Sequence, residues 1–135
     1  MVFQSRLMIR LALMYFLIGS TLGGLILTNK AYHFDSSLWE LLPVHIEFMI
    51  FGWIIQFTLG VAYWILPRFF GEDGRGKTWL ATIMVLLFNL GIWLVASSQY
   101  GLLPEKGALI GRISEAAAVA IFISLHWKRV LTYNR

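Results

Sequence analysis

The feature that most constrains this sequence is a stretch of nineteen residues, Phe48–Leu66, that contains no charged side chain. Three more apolar stretches lie at about residues 7–27, 78–98 and 107–127, and short polar segments separate all four. A helix of about 20 residues crosses the ~30 Å hydrocarbon core of a bilayer and satisfies its own backbone polar groups there. The sequence therefore predicts an all-α, polytopic membrane protein with a single domain, residues 1–135. Its four transmembrane helices are expected at about residues 7–28, 38–67, 78–98 and 107–130.

The composition supports a lipid-facing surface and excludes several kinds of site. Of 135 residues, 59% are hydrophobic and 13% are charged, whereas a soluble domain carries about 25% charged residues. There is no cysteine, which excludes disulfides, iron–sulfur clusters and covalent c-type heme attachment. The net charge of +4 would suggest nucleic acid in a soluble protein, but in a polytopic protein it mostly records topology. We expect no nucleic-acid partner.

The lysine and arginine residues predict how the chain is oriented in the bilayer. Eight of the eleven flank the N-terminus, the loop between the second and third helices, or the C-terminus. The other three, Lys30, Lys106 and Arg112, lie in or beside the remaining loops. Positive residues concentrate on the cytoplasmic side, so both termini are expected to face the cytoplasm from an inner (cytoplasmic) membrane. The first apolar stretch has no small-x-small cleavage site after it, so a retained helix is expected there.

Three histidines are candidates for chemistry. His33 falls in an outer loop, where we expect a solvated side chain. His126 lies at the cytoplasmic end of the fourth helix beside Trp127, and an interfacial position is expected for it. His45 lies inside the outer third of the second helix, past the interface, where a polar side chain needs a partner or a task.

The residues that share a helix face with His45 are compatible with a cofactor. At 100° per residue, Met49 and Gly52 fall on that face. Gly52 removes side-chain bulk two turns below His45, where a flat macrocycle would lie, and Met49 would supply part of an apolar wall. A buried neutral imidazole is a good axial ligand for heme iron. The alternative is a histidine hydrogen-bonded to a neighbouring helix, with Gly52 as a packing contact, and spacing alone favours neither.

A run of about 25 residues in the second helix is distinctive: His45–Trp53, followed by Gly60, Tyr63-Trp64 and Leu66-Pro67-Arg68. It resembles the second transmembrane helix of heme-copper oxidase subunit I, and it is most similar to the C-type cytochrome oxidases and nitric-oxide reductases. More loosely, the whole chain resembles the first four helices of that family. The family's helix carries a histidine that is an axial ligand of the low-spin heme near the outer membrane face. The resemblance therefore implies that His45 binds the iron of a heme b.

The chain also departs from the family. The second heme ligand, the copper histidines and the ligand of the oxygen-reducing heme all come from later helices of the family. Three histidines cannot build the family's six-histidine set. This chain alone is therefore expected to be an electron carrier and not an enzyme. Its expected partners are a quinol, a cytochrome or a larger respiratory complex.

The second axial ligand of such a heme is open at this point. His45 and His126 lie near opposite ends of parallel helices, roughly 20–30 Å apart at 1.5 Å per residue, so one iron cannot bind both within a monomer. The options are a second His45 from a symmetry mate, Met49, another subunit, or five-coordinate iron. An isologous two-fold contact delivers the same residue twice, which favours a homodimer.

The fourth helix carries Arg112 and Glu115 on one face. Arg112 lies at about the depth of His45, where its guanidinium could bind heme propionates. The alternatives are an Arg112–Glu115 ion pair, or Arg112 snorkelling to the outer surface. Glu47 lies about 200° around the second helix from His45, and it is expected to snorkel, to pair with a neighbouring helix or to carry a proton. Gly19-x-x-x-Gly23 is expected to be a helix-packing contact.

Two functions of other classes remain open from the sequence. The chain could be a structural or accessory subunit of a respiratory membrane complex, with no cofactor of its own. It could also be a small transporter or channel assembled from several copies.

Overall fold

The computed structural model describes residues 2–66 and 77–132, and all regular structure in those residues is helical. Four helices are long and apolar enough to cross a membrane. They are α1 (Phe3–Tyr32), α2 (Ser36–Ile65), α3 (Thr78–Gln99) and α4 (Glu105–Thr132). The predicted all-α fold with four membrane-spanning helices is confirmed. Each helix begins and ends within four residues of its predicted range.

Helix α2 changes its winding along its length. It begins as a 3-10 segment, Ser36–Leu41, and continues as α-helix over Leu42–Glu47. Residues Phe48–Ile55 are wound as π-helix, and Gln56–Ile65 return to α-helix. A π-helix has i→i+5 hydrogen bonds and therefore wider turns, and such segments are frequent at functional sites. The π segment begins directly after Glu47, three residues beyond His45.

The turn between α1 and α2 is fixed by side-chain hydrogen bonds. Asp35 accepts bonds from the backbone N–H of Ser37 at 2.9 Å and from its hydroxyl at 2.8 Å. The buried Asn29 accepts a bond from the backbone N–H of Asp35 at 2.9 Å. Pro43 lies in the first turn of the α-helical segment, where its missing N–H costs least. These contacts fix the turn that places the start of α2 beside α1, just before His45.

Helices α1 and α2 pack closely because glycines remove side-chain bulk between them. A Cβ atom at Gly19 would lie 2.8 Å from Met49 Sδ, and one at Gly52 would lie 2.5 Å from Tyr15 Cγ. A Cβ atom at Gly23 would lie 2.6 Å from the Cε1 atom of the His45 ring. Membrane helices associate by this kind of close contact, since lipid tails are as apolar as leucine. The small-xxx-small motif of α1 is thus a packing surface for α2.

Helices α3 and α4 approach each other at a second glycine pair. A Cβ atom at Gly91 would lie 2.8 Å from the carbonyl oxygen of Gly111 and 2.6 Å from Glu115 Cγ. Helices α1 and α2 form one helical hairpin, and α3 and α4 form a second. The two hairpins meet where α2 contacts α3, and the Phe48 and Trp93 rings lie edge to face there with centroids 5.5 Å apart. The close contact at Gly111 sets the rotation of α4, which turns Arg112 and Glu115 toward α2.

Candidate functional site

His45 makes a short hydrogen bond across the α1–α2 contact. Its Nδ1 atom lies 2.7 Å from the carbonyl oxygen of Gly19. A carbonyl can only accept a hydrogen bond, so Nδ1 carries the hydrogen and donates it. In the neutral imidazole the lone pair then lies on Nε2, and no hydrogen bond to Nε2 comes from residues 2–66 or 77–132. Hydrogen bonds from the second ring nitrogen orient histidines that ligate metals.

An apolar groove of about 280 Å³ lies beside the His45 ring, between α1 and the start of α2. Gly23 forms its floor, since any side chain there would collide with the imidazole. Lys30 is the lysine of its lining, at the end of α1. The groove is lined by Gly23, Ile26, Leu27, Lys30, Trp39, Leu42 and His45.

The two other residues predicted on the His45 face lie against α1. Met49 is half-buried and its sulfur packs on Gly19, one turn below His45. Gly52 is buried, and the Tyr15 ring occupies the space that its missing side chain leaves. Of the alternatives for Gly52, the structure contains the packing contact. The structure therefore brings His45 and Met49 to the same stretch of α1 and places Gly52 under an aromatic ring.

Arg112 lies in a different groove, where it bridges α4 to α2. Its NH1 and NH2 groups donate to the two carboxylate oxygens of Glu47, at 3.1 and 2.6 Å. NH1 also donates to Glu115 Oε2 at 2.8 Å. The guanidinium carbon lies 4.3 Å from the centre of the Phe51 ring, in cation–π contact. Arg112 is 40% exposed, whereas Glu47 and Glu115 are 1% and 3% exposed.

This bonding pattern contains two of the contacts that the sequence left open. Arg112 forms the ion pair with Glu115, and Glu47 pairs with a neighbouring helix. Three of the five guanidinium N–H donors are needed for these bonds, so a heme propionate would share the rest. The Glu47–Arg112 bond was not predicted, although one carboxylate and one arginine in two different apolar stretches are a signal for such a pair.

The remaining histidines lie away from this region. His33 is exposed in the turn after α1, as predicted, with a φ of 53°. His126 is only 3% exposed, so the chain itself buries the side chain, and its position at the membrane interface stays a prediction. Its ring stacks on Phe122 at 4.1 Å and meets the edge of Tyr63 at 5.4 Å between centroids. Aromatic side chains of α2 and α4 therefore cover most of the ring, which also lines an apolar groove of about 370 Å³.

The comparison with known families decides the identity of the chain at the level of family. A family model described as cytochrome C and quinol oxidase polypeptide I matches residues 5–133. The chain belongs to this family. No curated protein and no solved structure gives a significant match. The resemblance of His45–Trp53 to subunit I of the heme-copper oxidases is confirmed, and the chain is a membrane protein related to those oxidases.

Members of the family bind heme, so the fit of a heme to these residues can be tested. His45 offers its Nε2 atom, and the hydrogen bond to Gly19 fixes the orientation of the ring. The groove beside it is smaller than the roughly 300–1,000 Å³ of pockets that enclose drug-sized ligands. No group of three or more metal-ligating side chains occurs within the described residues, but heme iron needs protein ligands only at its axial positions. One axial ligand and one apolar wall fit, and residues 2–66 and 77–132 supply no opposite wall to this groove.

Proposed function

We propose that this chain binds a b-type heme through His45 and transfers electrons near the outer face of the membrane. When bound, the heme supplies one-electron chemistry. His45 would hold it at Nε2, and the Nδ1–H bond to Gly19 would keep the imidazole oriented. That hydrogen bond is the observation that carries the proposal, because it leaves the ligating nitrogen available inside an apolar groove.

Lys30 favours one orientation of the macrocycle. Lys30 lies at the end of α1 and lines the same groove as His45 and Trp39. Heme propionates are carboxylates, and an ammonium group at the edge of the membrane stabilises them better than the apolar lining does. Arg112 stays a second candidate for a propionate, through the guanidinium donors that Glu47 and Glu115 leave over.

The incomplete groove favours a shared site between two copies of the chain. Met49 follows His45 by one helical turn and packs toward α1, so both side chains approach from the same side. A second ligand for the heme would then come from another chain. A two-fold axis supplies a second His45 and a second apolar wall together. We therefore propose a homodimer with one heme between two His45 side chains.

The proposed orientation has both termini in the cytoplasm and His45 near the outer face of an inner membrane. It is supported by the eight-to-three distribution of lysine and arginine. A reporter fused after Arg135 is expected to be cytoplasmic, and one inserted at Pro104–Gly107 is expected to be external. The reverse pattern contradicts the orientation and moves His45 to the inner side.

The experiment that tests the heme proposal is a visible spectrum of the purified protein with a heme assay and a size measurement in mild detergent. A sharp reduced α-band of b type and one heme per two protomers are expected. One heme per protomer would contradict the shared site and leave the single-ligand proposal standing. Protein that is folded, expressed with ample heme and colourless contradicts heme binding.

The packing of α1 favours one rival function. Tyr15 and Met49 fill the helix face at Gly52 and Gly19, so most of that face is already closed by the chain itself. A closed face is what a structural or accessory subunit of a respiratory complex would have. If the chain is such a structural subunit, it is expected to co-purify with the larger complex and to carry no heme of its own. The spectrum of the isolated chain separates the two functions.

A further inference from the structure

Two arginines lie on the side of α1 that faces away from the other helices. Arg6 and Arg10 are one helical turn apart, and both are exposed. At 100° per residue, Met8 and Tyr15 lie on the opposite side of α1, where both are buried against the rest of the chain. In a bilayer the exposed side of α1 contacts lipid or another protein. The two guanidinium groups therefore belong to a surface that the described chain does not cover.

Neither guanidinium has a negatively charged partner in the described part of the chain. Both ion pairs among residues 2–66 and 77–132 belong to Arg112, and no hydrogen bond from those residues reaches the side chain of Arg6 or Arg10. The carboxylates of the described residues lie in the middle of the bundle or at its other end: Asp35, Glu40, Glu47, Glu105 and Glu115. A negatively charged group from outside the described chain can therefore balance the two arginines.

The depth of Arg10 indicates which kind of group this is. Arg10 lies three residues inside the apolar stretch that begins at Leu7, about 4.5 Å along the helix. An arginine at this depth extends its guanidinium back toward the headgroups, because an unpaired charge in hydrocarbon is costly. The same side of α1 continues with Leu13 and Leu17, which are 49% and 69% exposed. A positive end followed by an apolar strip complements an anionic headgroup followed by its acyl chains.

We propose that Arg6 and Arg10 bind one anionic phospholipid in the leaflet at the N-terminal end of α1, with an acyl chain along Leu13 and Leu17. Guanidinium groups bind phosphate oxygens through paired N–H donors. A second copy of the chain does not suit this surface, because a two-fold contact would bring the same cations together. A soluble anion lacks the apolar part that covers the leucines. The site lies far along α1 from the His45 groove, so it is independent of the proposed heme.

Native mass spectrometry of the purified protein tests the site by titration with phosphatidylglycerol or with phosphatidylcholine of the same acyl chains. Wild type is expected to bind one phosphatidylglycerol per protomer in preference to phosphatidylcholine. Each arginine near an anionic lipid adds about fivefold to binding, so Arg10→Gln is expected to lose about fivefold and the double variant Arg6→Gln/Arg10→Gln about 25-fold. Both variants should unfold as wild type does in neutral detergent, because both side chains are exposed.

Lys77→Gln is the matched control, because it removes one positive charge from the same end of the molecule. Lys77 is exposed and precedes α3, which begins beside α1, where Gln4 donates to the carbonyl oxygen of Thr78 at 3.4 Å. This variant is expected to change the affinity for phosphatidylglycerol by less than about twofold, since salt screens separate exposed charges. Equal losses in Lys77→Gln and Arg10→Gln would reveal a general surface potential and overturn the site. Equal binding of the two lipids by wild type, or undiminished binding in the double variant, overturns it as well.

Discussion

His45 and His126 each make a hydrogen bond from Nδ1 to a backbone carbonyl oxygen, but the surroundings of the two rings differ. Each ring places Nδ1 2.7 Å from a backbone carbonyl oxygen, which for His45 is that of Gly19 and for His126 that of Phe122. The bond of His45 crosses from α2 to α1, whereas the bond of His126 closes on its own helix one turn back. His45 is half-buried beside its groove. His126 also lines a groove, of about 370 Å³, but its ring is only 3% exposed and packs on the rings of Phe122 and Tyr63.

The difference shows that a fixed Nδ1–H does not by itself make a histidine a ligand. Access to the second ring nitrogen decides, and neighbouring residues control that access. Gly23 leaves space beside the His45 ring, while Phe122 and Tyr63 cover the ring of His126. We therefore assign His45 a binding role and His126 a packing role.

The largest loss of stability is expected when the ion pairs between α4 and α2 are removed. Arg112→Leu leaves the buried Glu47 and Glu115 without their cation, and breaking a buried ion pair costs about 3–5 kcal/mol. Because Arg112 is 40% exposed, the lower end of that range is expected. The free energy of unfolding in mixed micelles measures the loss. Arg10→Leu, at an exposed position on α1, is the control and should change it by less than about 0.5 kcal/mol. Equal stabilities for the two variants would show that the cluster does not hold the hairpins together.

Stability should rank the two histidines in the opposite order from heme binding. His126→Ala removes a buried ring packed on Phe122 and Tyr63, at a cost of about 2–3 kcal/mol. His45→Ala removes one hydrogen bond at a half-buried position, and about 1 kcal/mol is expected in protein without heme. Unfolding of both variants under heme-free conditions gives the comparison. A larger loss for His45→Ala would mean that its main role is structural.

A comparison of the adjacent residues Gly23 and Gly24 tests whether the space beside the His45 ring is needed for heme binding. In Gly23→Ala the new methyl group would meet the imidazole, and the strain is expected to cost about 1–2 kcal/mol and to lower heme content. Gly24→Ala is the matched control, since nothing lies within 4 Å of a Cβ atom there. That variant should be neutral or slightly more stable, because alanine favours helix by up to ~1 kcal/mol over glycine. The same heme content in both variants would contradict the role assigned to Gly23.

The smallest effect is expected at the turn that leads into α2. Hydrogen bonds from Ser37 lower the pKa of Asp35 below the ordinary aspartate range. The folded state therefore prefers the ionised carboxylate, and this stabilisation is present above the ordinary pKa and lost as the pH falls through the lowered one. Asp35→Ala should remove that slight pH dependence. Unfolding measured between pH 5 and pH 2 tests it, and an unchanged acid dependence in Asp35→Ala would exclude the contribution.

Much of the fold follows from the sequence, because membrane spanning is a local property of about 20 consecutive residues. The position of His45 in its helix follows in the same way. The Glu47–Arg112 bond does not, since it depends on how α4 is rotated by the Gly91–Gly111 contact. Residues Phe48–Ile55 are wound as π-helix, so the angle of 100° per residue used for an α-helix does not apply to them. The neighbours that these side chains contact could therefore not be predicted from the sequence.

The aromatic enclosure of His126 escaped prediction for a related reason. A histidine followed by Trp127 at a helix end has the composition of an interfacial belt, and burial there depends on Tyr63 from α2. Helices α2 and α4 are separated in the sequence by α3, and their packing brings these rings together. Sequence spacing within one helix carries no information about that contact.

The central claim is tested most directly by the heme content of His45→Ala and His126→Ala, purified side by side after expression with excess heme. His45→Ala is expected to lose the heme and, if two copies share it, to lose the dimer as well. His126→Ala is expected to keep the wild-type heme-to-protomer ratio and the wild-type spectrum in its folded fraction. Full heme retention in His45→Ala would contradict the account and leave α2 as a scaffold that packs on α1.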